Sequence, residues 1–416
     1  MDAYARIGDV CLVGDGTHSK IERHDCGVLY LTSRNFKDGS LDLSKVYYIS
    51  ERDYVKHFLG EGKALTLPRE NDLVFSIIGT IGEPYLVRES DRFGISSSVA
   101  IIRPNRDFID PTFLLHWFKG PVFQSALFGI KGGVAQGYVS LEMIRSLPVP
   151  TLPLQVQQRI AGILSAYDEL IENNQRRICI LEDMARSLYR EWFVHFRYPG
   201  HESVPLIDSP LGQIPQGWEM IPFTEIANVL SGGTPKTDIA DYWNGEIPFF
   251  TPRDAPDSFY VQDTDKHVTE LGLTKCASQL YLPDTVFITA RGTVGKVALP
   301  SVPMAMNQSC YALRGKAGIS QRFLFLMTLQ QLDYLKTNTG GATFDTIVVD
   351  TFRRMQVVKP RLDLITQFTS RINAVFEQVN TLERQTSNLR STRDLLLPRL
   401  LSGQVTLATD TPAITA

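Results

Sequence analysis

The segment FITARGTVGKVAL, residues 287–299, has the residue types of a nucleotide-binding loop: an apolar run, a glycine-rich turn and a Gly-Lys pair. Such a loop wraps phosphates with backbone N–H groups when a glycine is followed by four residues and then Gly-Lys-Ser/Thr. Counting back from Gly295 and Lys296, the position that requires glycine holds Ala290, and the position that requires a hydroxyl holds Val297. The spacing therefore excludes a phosphate-binding P-loop.

A second copy of this loop lies in the first half of the chain. Residues 75–87 read FSIIGTIGEPYLV, with the same order of aromatic residue, apolar run, Gly-Thr-Ile/Val-Gly and apolar continuation. Glu83 stands where Lys296 stands, so the lysine has no role that both copies share. The loop is therefore one part of an internal repeat.

The repeat extends over most of the chain. The matching pairs are GDGTHSK (14–20) with SGGTPKT (231–237), YLTSRNF (30–36) with FFTPRDA (249–255), and KGGVAQ (131–136) with TGGATF (339–344). Short apolar runs separated by turn residues fill each copy, and one helical stretch recurs at 113–127 and 323–335. We predict α+β domains at residues 1–150 and 201–360, each followed by a helical region, at 151–200 and 361–416.

Apolar residues at three- and four-residue steps indicate two long helices, from Gln155 to Phe193 and from Asp363 to Leu401. Each would be roughly 58 Å long, too long to be buried against one small domain. We predict that they pack on each other as a long antiparallel two-helix coiled coil in a pseudo-two-fold molecule; the alternative is that each lies on its own domain. The residues expected to pack on the partner helix are Ile160, Leu164, Leu181, Leu188, Ile372, Phe376, Leu389 and Leu396.

Polar residues interrupt both helical stripes at a similar depth, at 173–175 and 385–388, where they can fix the register. Pro398 is expected to end or kink the second helix. The acidic run YDELIE, residues 167–172, is interpreted as a solvated face of the first helix.

Bulk composition adds few constraints. The 416 residues are 43% apolar and 21% charged, with a net charge of −3, so any nucleic-acid-binding surface has to be local. The five cysteines are scattered without a Cys-x-x-Cys pair, which argues against a disulfide framework or a zinc site and fits a reducing cytoplasm. No apolar run approaches the 18 residues of a transmembrane helix, and the first residues lack a signal-peptide pattern. We expect a cytoplasmic protein.

Motifs for catalysis are missing from the sequence. It contains no Gly-x-Gly-x-x-Gly, no His-Glu-x-x-His and no Asn/Asp-Pro-Pro-Tyr/Phe, and none of the seven histidines lies four residues from another. A chain repeated twice without a repeated catalytic cluster predicts a non-catalytic protein that binds no cofactor or metal of its own.

The repeated polar loops are the candidate binding residues, because their hydroxyls, amines and glycine N–H groups suit phosphate. Arginine and asparagine after a strand can reach guanine and adenine edges. The candidate DNA contacts are Thr17, His18, Lys20, Arg34, Asn35, Lys131, Gln136, Thr234, Lys236, Arg253, Asp254 and Arg291. The alternative is plain turn chemistry, with the arginine and the Asp or Asn paired locally.

Taken together, the motifs resemble the specificity subunits of type I restriction–modification systems. The resemblance is carried by GDGTH (14–18), SLYREWFVHFRYPG (187–200), the segment 211–254 that starts LGQIPQGWEM, and LLLPRLLSGQV (395–405), and it covers nearly the whole chain. It implies that each β-rich domain is a target recognition domain that reads one half of a bipartite, asymmetric DNA site.

The resemblance also implies partners. The helical regions would set the spacer between half-sites and dock two methyltransferase subunits, with restriction subunits joining that complex. S-adenosylmethionine, ATP and magnesium would belong to those subunits, with no cofactor in this chain. A different class of protein remains open at this point, a two-headed scaffold that binds proteins and never touches DNA.

Overall fold

The computed structural model describes residues 4–37, 39–59, 65–131, 137–210, 212–338, 346–401 and 404–405. By its internal contacts the chain divides into a first unit, Met1–Leu170 with Leu389–Ala416, and a second unit, Ile171–Asn388. Within the described ranges, no helix combines the length and the apolar character needed to cross a membrane.

Four of the helices begin where a side chain can accept the first free backbone N–H groups. Ser50, Asp110, Ser140 and Thr269 are such N-caps, and each accepts from the backbone N–H three residues later. The helices are α1 (Ile7–Val10), α2 (Glu51–Phe58), α3 (Pro111–Lys119), α4 (Pro121–Lys131), α5 (Leu141–Ser146), α6 (Leu154–Phe193), α7 (Phe223–Ile226), α8 (Glu270–Thr274), α9 (Gln321–Asn338), α10 (Val349–Arg354) and α11 (Leu362–Leu401).

Two sheets form the body of the first unit, an antiparallel one of order β2-β10-β7-β8 and a mixed one of order β6-β3-β9. Two further strand pairs, β1-β11 and β4-β5, complete it. The strands are β1 (Tyr4–Arg6), β2 (Cys11–Asp15), β3 (Val28–Leu31), β4 (Phe36–Lys37), β5 (Ser40–Leu41), β6 (Tyr47–Ile49), β7 (Leu73–Ser76), β8 (Pro84–Leu86), β9 (Phe93–Ile95), β10 (Val99–Pro104) and β11 (Pro148–Pro150).

The second unit repeats the core of this arrangement and adds one parallel strand, β17, to its main sheet. Its main sheet has the order β15-β22-β19-β20-β17, its mixed sheet β18-β16-β21, and β14-β23 and β12-β13 form separate pairs. The strands are β12 (Leu206–Ser209), β13 (Gly212–Pro215), β14 (Glu219–Pro222), β15 (Ala227–Ser231), β16 (Trp243–Phe250), β17 (Tyr260–Val261), β18 (His267–Val268), β19 (Val286–Thr289), β20 (Val297–Pro300), β21 (Ala305–Met306), β22 (Cys310–Gly315) and β23 (Gln356–Lys359). Strand for strand, β2-β10-β7-β8 corresponds to β15-β22-β19-β20, which confirms the predicted repeat and α+β class.

The bounds of the long helices agree with the sequence prediction to within one residue. In the first unit, Ile160 and Leu164 near the start of α6 share a core with Leu397 and Leu400 at the end of α11. In the second unit, Trp192 near the end of α6 lies 5.6 Å, between ring centroids, from Phe368 near the start of α11. The two helices therefore run antiparallel inside each unit.

The helical stripes also enter the β-rich cores. Phe376 of α11 packs on Phe259 and Phe325, with ring centroids 5.1 and 6.0 Å apart. Ile160 and Leu164 belong to the same cluster as Phe113 and Trp117 of α3. The prediction that the helices pack on each other is confirmed, and each helix also contributes side chains to the β-rich cores.

Two local features of the helices differ from what the sequence suggested. α11 continues beyond Pro398 to Leu401, so the proline does not end it, and the burial of Leu397 and Leu400 holds this last turn in place. The helical stretch of the first unit is divided into α3 and α4 at Gly120-Pro121, where proline disfavours helical backbone in the residue before it. Its counterpart α9 is continuous.

Candidate nucleic-acid interface

Four loops of the first unit meet at one end of its main sheet, where β2 and β7 end and β10 begins. They are residues 14–20, 32–35, 77–82 and 95–98, and we call them the first loop cluster. Backbone N–H groups hold them together: Thr17 donates to Ile95 O (3.1 Å), Ile77 to Ser98 O (2.9 Å) and Ser33 to Ser98 Oγ (3.1 Å). The loops therefore form one continuous surface.

The second unit builds the same surface from residues 230–236, 251–254, 290–295 and 306–309, the second loop cluster. Gly233 N donates to Met306 O (3.1 Å) and Ala290 N to Ser309 O (2.8 Å). A Cβ added at Gly292 would lie 4.0 Å from Pro252, just as one added at Gly79 would lie 3.4 Å from Ser33. The equivalent hydrogen bonds and contacts show that the loops are placed alike in the two units.

The structure corrects the sequence pairing of GDGTHSK with SGGTPKT by one residue. Asp15 lies opposite Ala100 and Ser231 opposite Tyr311 in corresponding sheets, which makes Gly16 the counterpart of Gly232. A Cβ at either glycine would lie 2.3 or 2.1 Å from a backbone oxygen, so neither position admits a side chain. The corrected register pairs Lys20 with Lys236, and it pairs His18, rather than Thr17, with Thr234.

The glycine-rich segments that resembled a nucleotide loop are β-hairpins. Gly79, Gly82, Gly292 and Gly295 all have positive φ, between 79° and 104°, which L side chains rarely adopt. In the first hairpin Ser76 Oγ accepts from the N–H of Glu83 (3.0 Å); in the second, Thr289 Oγ1 accepts from the N–H of Lys296 (2.9 Å).

Each hairpin continues into a strand, β8 or β20, where a P-loop would continue into a helix. The amine of Lys296 forms an ion pair with Asp257. Both features agree with the prediction that this loop does not bind nucleotide phosphates.

A tight turn, Thr-x-Arg-Asn/Asp, recurs in both loop clusters. In the first, Asn35 Oδ1 accepts from the backbone N–H (3.0 Å) and hydroxyl (3.1 Å) of Thr32. The Asn35 amide also donates to the carbonyl oxygens of Asp42 and Lys45, both at 3.0 Å. Its side chain is 1% exposed and all its hydrogen-bonding capacity is used, so the prediction that Asn35 contacts DNA does not fit the structure.

Asp254 closes the second turn in the same way. Its Oδ2 accepts from the backbone N–H (2.8 Å) and hydroxyl (2.6 Å) of Thr251, and its Oδ1 accepts from the N–H of Asp265 (3.0 Å). The prediction that Asp254 contacts DNA is likewise replaced by a role in holding the turn. Sequence reasoning had named this turn chemistry as the alternative.

The arginine inside each turn points the other way. Arg34 and Arg253 are both exposed. Arg34 donates to the Tyr47 hydroxyl (2.9 Å) and lies 5.0 Å from the centre of its ring, while Arg23 lies 4.0 Å from the same ring. The hydrogen bond from Arg34 lowers the pKa of Tyr47. Two guanidinium groups around one phenol make a local positive surface on a chain of net negative charge.

Other predicted contacts also lie in the loop clusters. Lys20, Lys236 and Arg291 are exposed. His18 is exposed and pairs with Asp15 at 2.7 Å. Thr17 is buried to 9% exposure, and its hydroxyl accepts from the N–H of Ser19, so it supports the loop. The Thr234 hydroxyl donates to Gln308 beside it.

Some predictions cannot be placed. Gln136 and both glycine pairs, Gly132-Gly133 and Gly340-Gly341, lie outside the described residues, and Lys131 is described as the last residue of α4 without its side chain. Just beyond them, Val139 N donates to Ile77 O (3.0 Å) and Ile347 N to Ala290 O (2.9 Å). The chain therefore returns to the same hairpin in both units.

All but one of the predicted helix-packing residues lie in or against the cores of their own units; the exception is Leu389. Ile160, Leu164, Ile372 and Phe376 are buried. Leu181, Leu188 and Leu396 are partly buried against those cores, and Leu389 has intermediate exposure.

Sequence reasoning missed two charged anchors of α6. In the first unit, Asp168 of the run YDELIE binds Lys119 (3.3 Å) and Arg393 (2.5 Å), which lower its pKa although burial alone would raise it. The interpretation of this run as fully solvated is therefore wrong for Asp168, because a sequence of acidic residues does not reveal partners distant along the chain.

The second anchor, Glu182, is 4% exposed. Its Oε1 accepts from Phe259 N (2.6 Å), and its Oε2 accepts from Arg186 (3.0 Å). Burial raises the pKa of Glu182 to about 7, against the opposite effects of these two donors. The carboxyl ties α6 to the β-rich part of the second unit.

Comparison with known proteins identifies relatives over the whole fold. The family model described as the type I restriction modification DNA specificity domain matches residues 3–182 and 215–389. The specificity subunit of the type I restriction enzyme HindI from Haemophilus influenzae is 22% identical over 409 residues, covering 83% of this chain and 88% of the relative. The MjaX specificity subunit of Methanocaldococcus jannaschii, itself assigned as putative, is 21% identical over 422 residues, covering 96% and 92%.

A solved structure has the same fold. The crystal structure of a type I restriction–modification S subunit from M. genitalium superposes with a TM-score of 0.54. It is 15% identical and the match covers 98% of this chain and 96% of that one.

Proposed function

The chain belongs to the type I restriction–modification DNA specificity family, and we propose that its two loop clusters each read one half of a bipartite, asymmetric DNA site. As a specificity subunit it is the non-catalytic, DNA-recognising member of its complex. Its partners are DNA and the modification and restriction subunits of that complex. We assign residues 1–150 and 201–360 to the two target recognition domains.

The repeated loop clusters are the observation that supports the proposal of two DNA-reading surfaces. Each combines a glycine hairpin, a Thr-x-Arg-Asn/Asp turn and an exposed lysine, held by the same hydrogen bonds. A subunit that reads two half-sites of one duplex needs two surfaces. These surfaces are expected to be alike, because both face the same kind of phosphate backbone.

We further propose that α6 and α11 set the unspecified spacer between the half-sites and dock two methyltransferase subunits. Adenine methylation with S-adenosylmethionine and ATP- and magnesium-dependent cleavage belong to the partner subunits in this proposal. Its place of action is the cytoplasm.

A net charge of −3 limits the affinity that this chain reaches by itself, because phosphate contacts supply most of the affinity for DNA. We expect tight, specific binding only when the methyltransferase subunits close around the duplex. A gel-shift titration of the isolated chain beside the complex measures this, and equal affinity and specificity of the two would contradict it.

The decisive experiment is co-expression with the methyltransferase subunit of its own system, followed by mapping of modified adenines across the host genome. A split motif with a fixed gap is the expected result. Replacing residues 205–360 by the equivalent segment of another specificity subunit should then change one half of the motif and leave the other. A chain that forms no complex and directs no modification would favour a protein-binding scaffold.

A further inference from the structure

The two loop clusters can be compared position by position, because equivalent hydrogen bonds place their loops alike. The comparison rests on the proposed function, in which both clusters contact the same duplex at different sequences. Phosphates repeat along any DNA, whereas the bases of two half-sites in an asymmetric site differ. Residues shared by the clusters therefore suit the backbone, and exposed residues that differ between them suit the bases.

Three exposed pairs are shared. Each cluster has a lysine in its first loop, an arginine in its Thr-x-Arg-Asn/Asp turn and a threonine at its hairpin tip. The pairs are Lys20 with Lys236, Arg34 with Arg253, and Thr80 with Thr293. These cations and hydroxyls are the side chains that proteins use on phosphate oxygens.

The hairpin position before the first glycine differs in chemistry. Ser76 and Thr289 fix the register of the two hairpins, so Ile78 of the first is the counterpart of Arg291 of the second. Ile78 is 44% exposed, although the residues before it in β7 are buried. Arg291 is exposed, and within the described part of the chain its guanidinium has no hydrogen-bond or ion-pair partner.

These two side chains match different base edges. An arginine donates two hydrogen bonds to O6 and N7 of guanine, and an apolar side chain contacts the 5-methyl group of thymine. Each sits beside the arginine turn of its own cluster, because the next residue, Gly79 or Gly292, approaches Ser33 or Pro252 there. In each cluster the hairpin residue can therefore contact a base edge while the arginine of the turn contacts the adjoining phosphate.

We propose that residues 78 and 291 are equivalent base-reading positions, each determining one base pair of its own half-site, with Arg291 on a guanine and Ile78 on a thymine. The shared arginines, Arg34 and Arg253, hold the phosphate backbone beside them. The first hairpin has isoleucine where the second has arginine, and this exchange accounts for the different base at the equivalent position of the two half-sites.

The test is genome-wide adenine methylation by the complex carrying Arg291→Ile or Ile78→Arg. For Arg291→Ile we expect methylation at wild-type sites to fall about tenfold or more, since a bidentate arginine–guanine pair carries discrimination of this order. A different base should become accepted at one position of one half, while the other half and the gap stay unchanged. Ile78→Arg should add a preference for guanine in the opposite half.

Arg253→Ala is the matched control. It should weaken binding to every sequence alike and make the affinity less dependent on salt, with the methylated motif unchanged. The proposal would be overturned if the complex carrying Arg291→Ile methylated the same motif as the wild-type complex. A uniform loss for Arg291→Ile with the same flattening of the salt dependence would also overturn it, because that result assigns Arg291 to phosphate.

The wild-type map separates this inference from the function on which it rests. A wild-type complex that binds DNA but modifies no split motif overturns the proposed function, and the inference with it. A split motif that is unaffected by both hairpin variants overturns the inference alone.

Discussion

The Asn35 side chain holds a loop of the first cluster together from inside the protein. Its amide closes the turn that carries Arg34, and all its polar atoms are paired inside the protein. Asp254 closes the equivalent turn with a carboxylate, which accepts a backbone N–H of Asp265 instead of donating. Both residues position an arginine.

Asn35→Ala should loosen the first turn and cost about 1–3 kcal/mol, because it removes the hydrogen bonds that the buried Asn35 side chain makes to Thr32, Asp42 and Lys45. Hydrogen exchange of the Thr32 N–H measures the opening directly. Arg34→Ala serves as the control, since it should reduce DNA binding while the Thr32 N–H stays protected. An unchanged exchange rate in Asn35→Ala would contradict the positioning role.

Glu182 gives the second unit a pH dependence. Its pKa is raised from 4.5 to about 7 in the folded protein, so between these values the folded state binds more protons than the unfolded one. The free energy of unfolding should therefore fall as pH rises through this window, by on the order of 3 kcal/mol. Glu182→Gln keeps an acceptor for Phe259 N and should remove the slope.

Chemical denaturation followed by exchange of second-unit amides at pH 5 and pH 8 checks this. Glu191→Gln, which removes the exposed ion pair from α6 to Arg197 just beyond its end, is the matched control and should leave the slope in place. If the stability of wild type and Glu182→Gln depends on pH with the same slope, a group other than Glu182 causes the pH dependence.

At the scale of the elements, the long helices are stabilised by their burial in the β-rich cores as much as by each other. Leu164 is buried in the cluster that also holds residues of α3 and the end of α11, whereas Leu170, six residues on, is 53% exposed. Leu164→Ala should destabilise the first unit by about 2–5 kcal/mol through lost burial and a cavity. Leu170→Ala should change stability by about 0.5 kcal/mol or less.

Urea unfolding of the two variants, read by exchange of β10 amides, makes the comparison within one helix. Equal losses of stability would contradict the difference in burial between the two leucines in the folded protein.

Periodicity was sufficient to predict both long helices, because an apolar stripe recurs over many turns and small errors average out. The loop register was not predictable in the same way. The sequence alone pairs Gly16 equally well with Gly232 or Gly233. The strand register and the close approach to a backbone oxygen identify Gly232 as the counterpart. The inward direction of Asn35 and the distant partners of Asp168 also depend on tertiary contacts that no local pattern contains.

The break between α3 and α4 at Gly120-Pro121 could have been predicted, because a Gly-Pro dipeptide commonly marks a turn or a helix boundary. Pro398 illustrates the opposite: an element-breaking residue was overridden, because buried leucines on either side hold the turn.

At the scale of the whole molecule, the two units differ in how the chain builds them. The second unit is one continuous stretch, Ile171–Asn388, whereas the first combines Met1–Leu170 with Leu389–Ala416. Leu397 and Leu400 belong to the core of the first unit, and Arg393 pairs there with Asp168.

Ending the chain after Asn388 should therefore destabilise the first unit and spare the second. Hydrogen exchange should show β10 losing protection while β22 keeps it. Leu397→Ala combined with Leu400→Ala should reproduce the effect in the full chain, and Leu395→Ala, at an exposed position, should not. Loss of protection in β22 would contradict the division into two units.

The same interleaving sets an order for folding during synthesis. A ribosome that has released residue 388 has supplied every residue of the second unit, but the first still lacks the last turns of α11. The half of the protein that is translated first is thus completed last. Until then, the apolar surface that receives Leu397 and Leu400 stays uncovered, and a nascent chain is open there to chaperones and to aggregation.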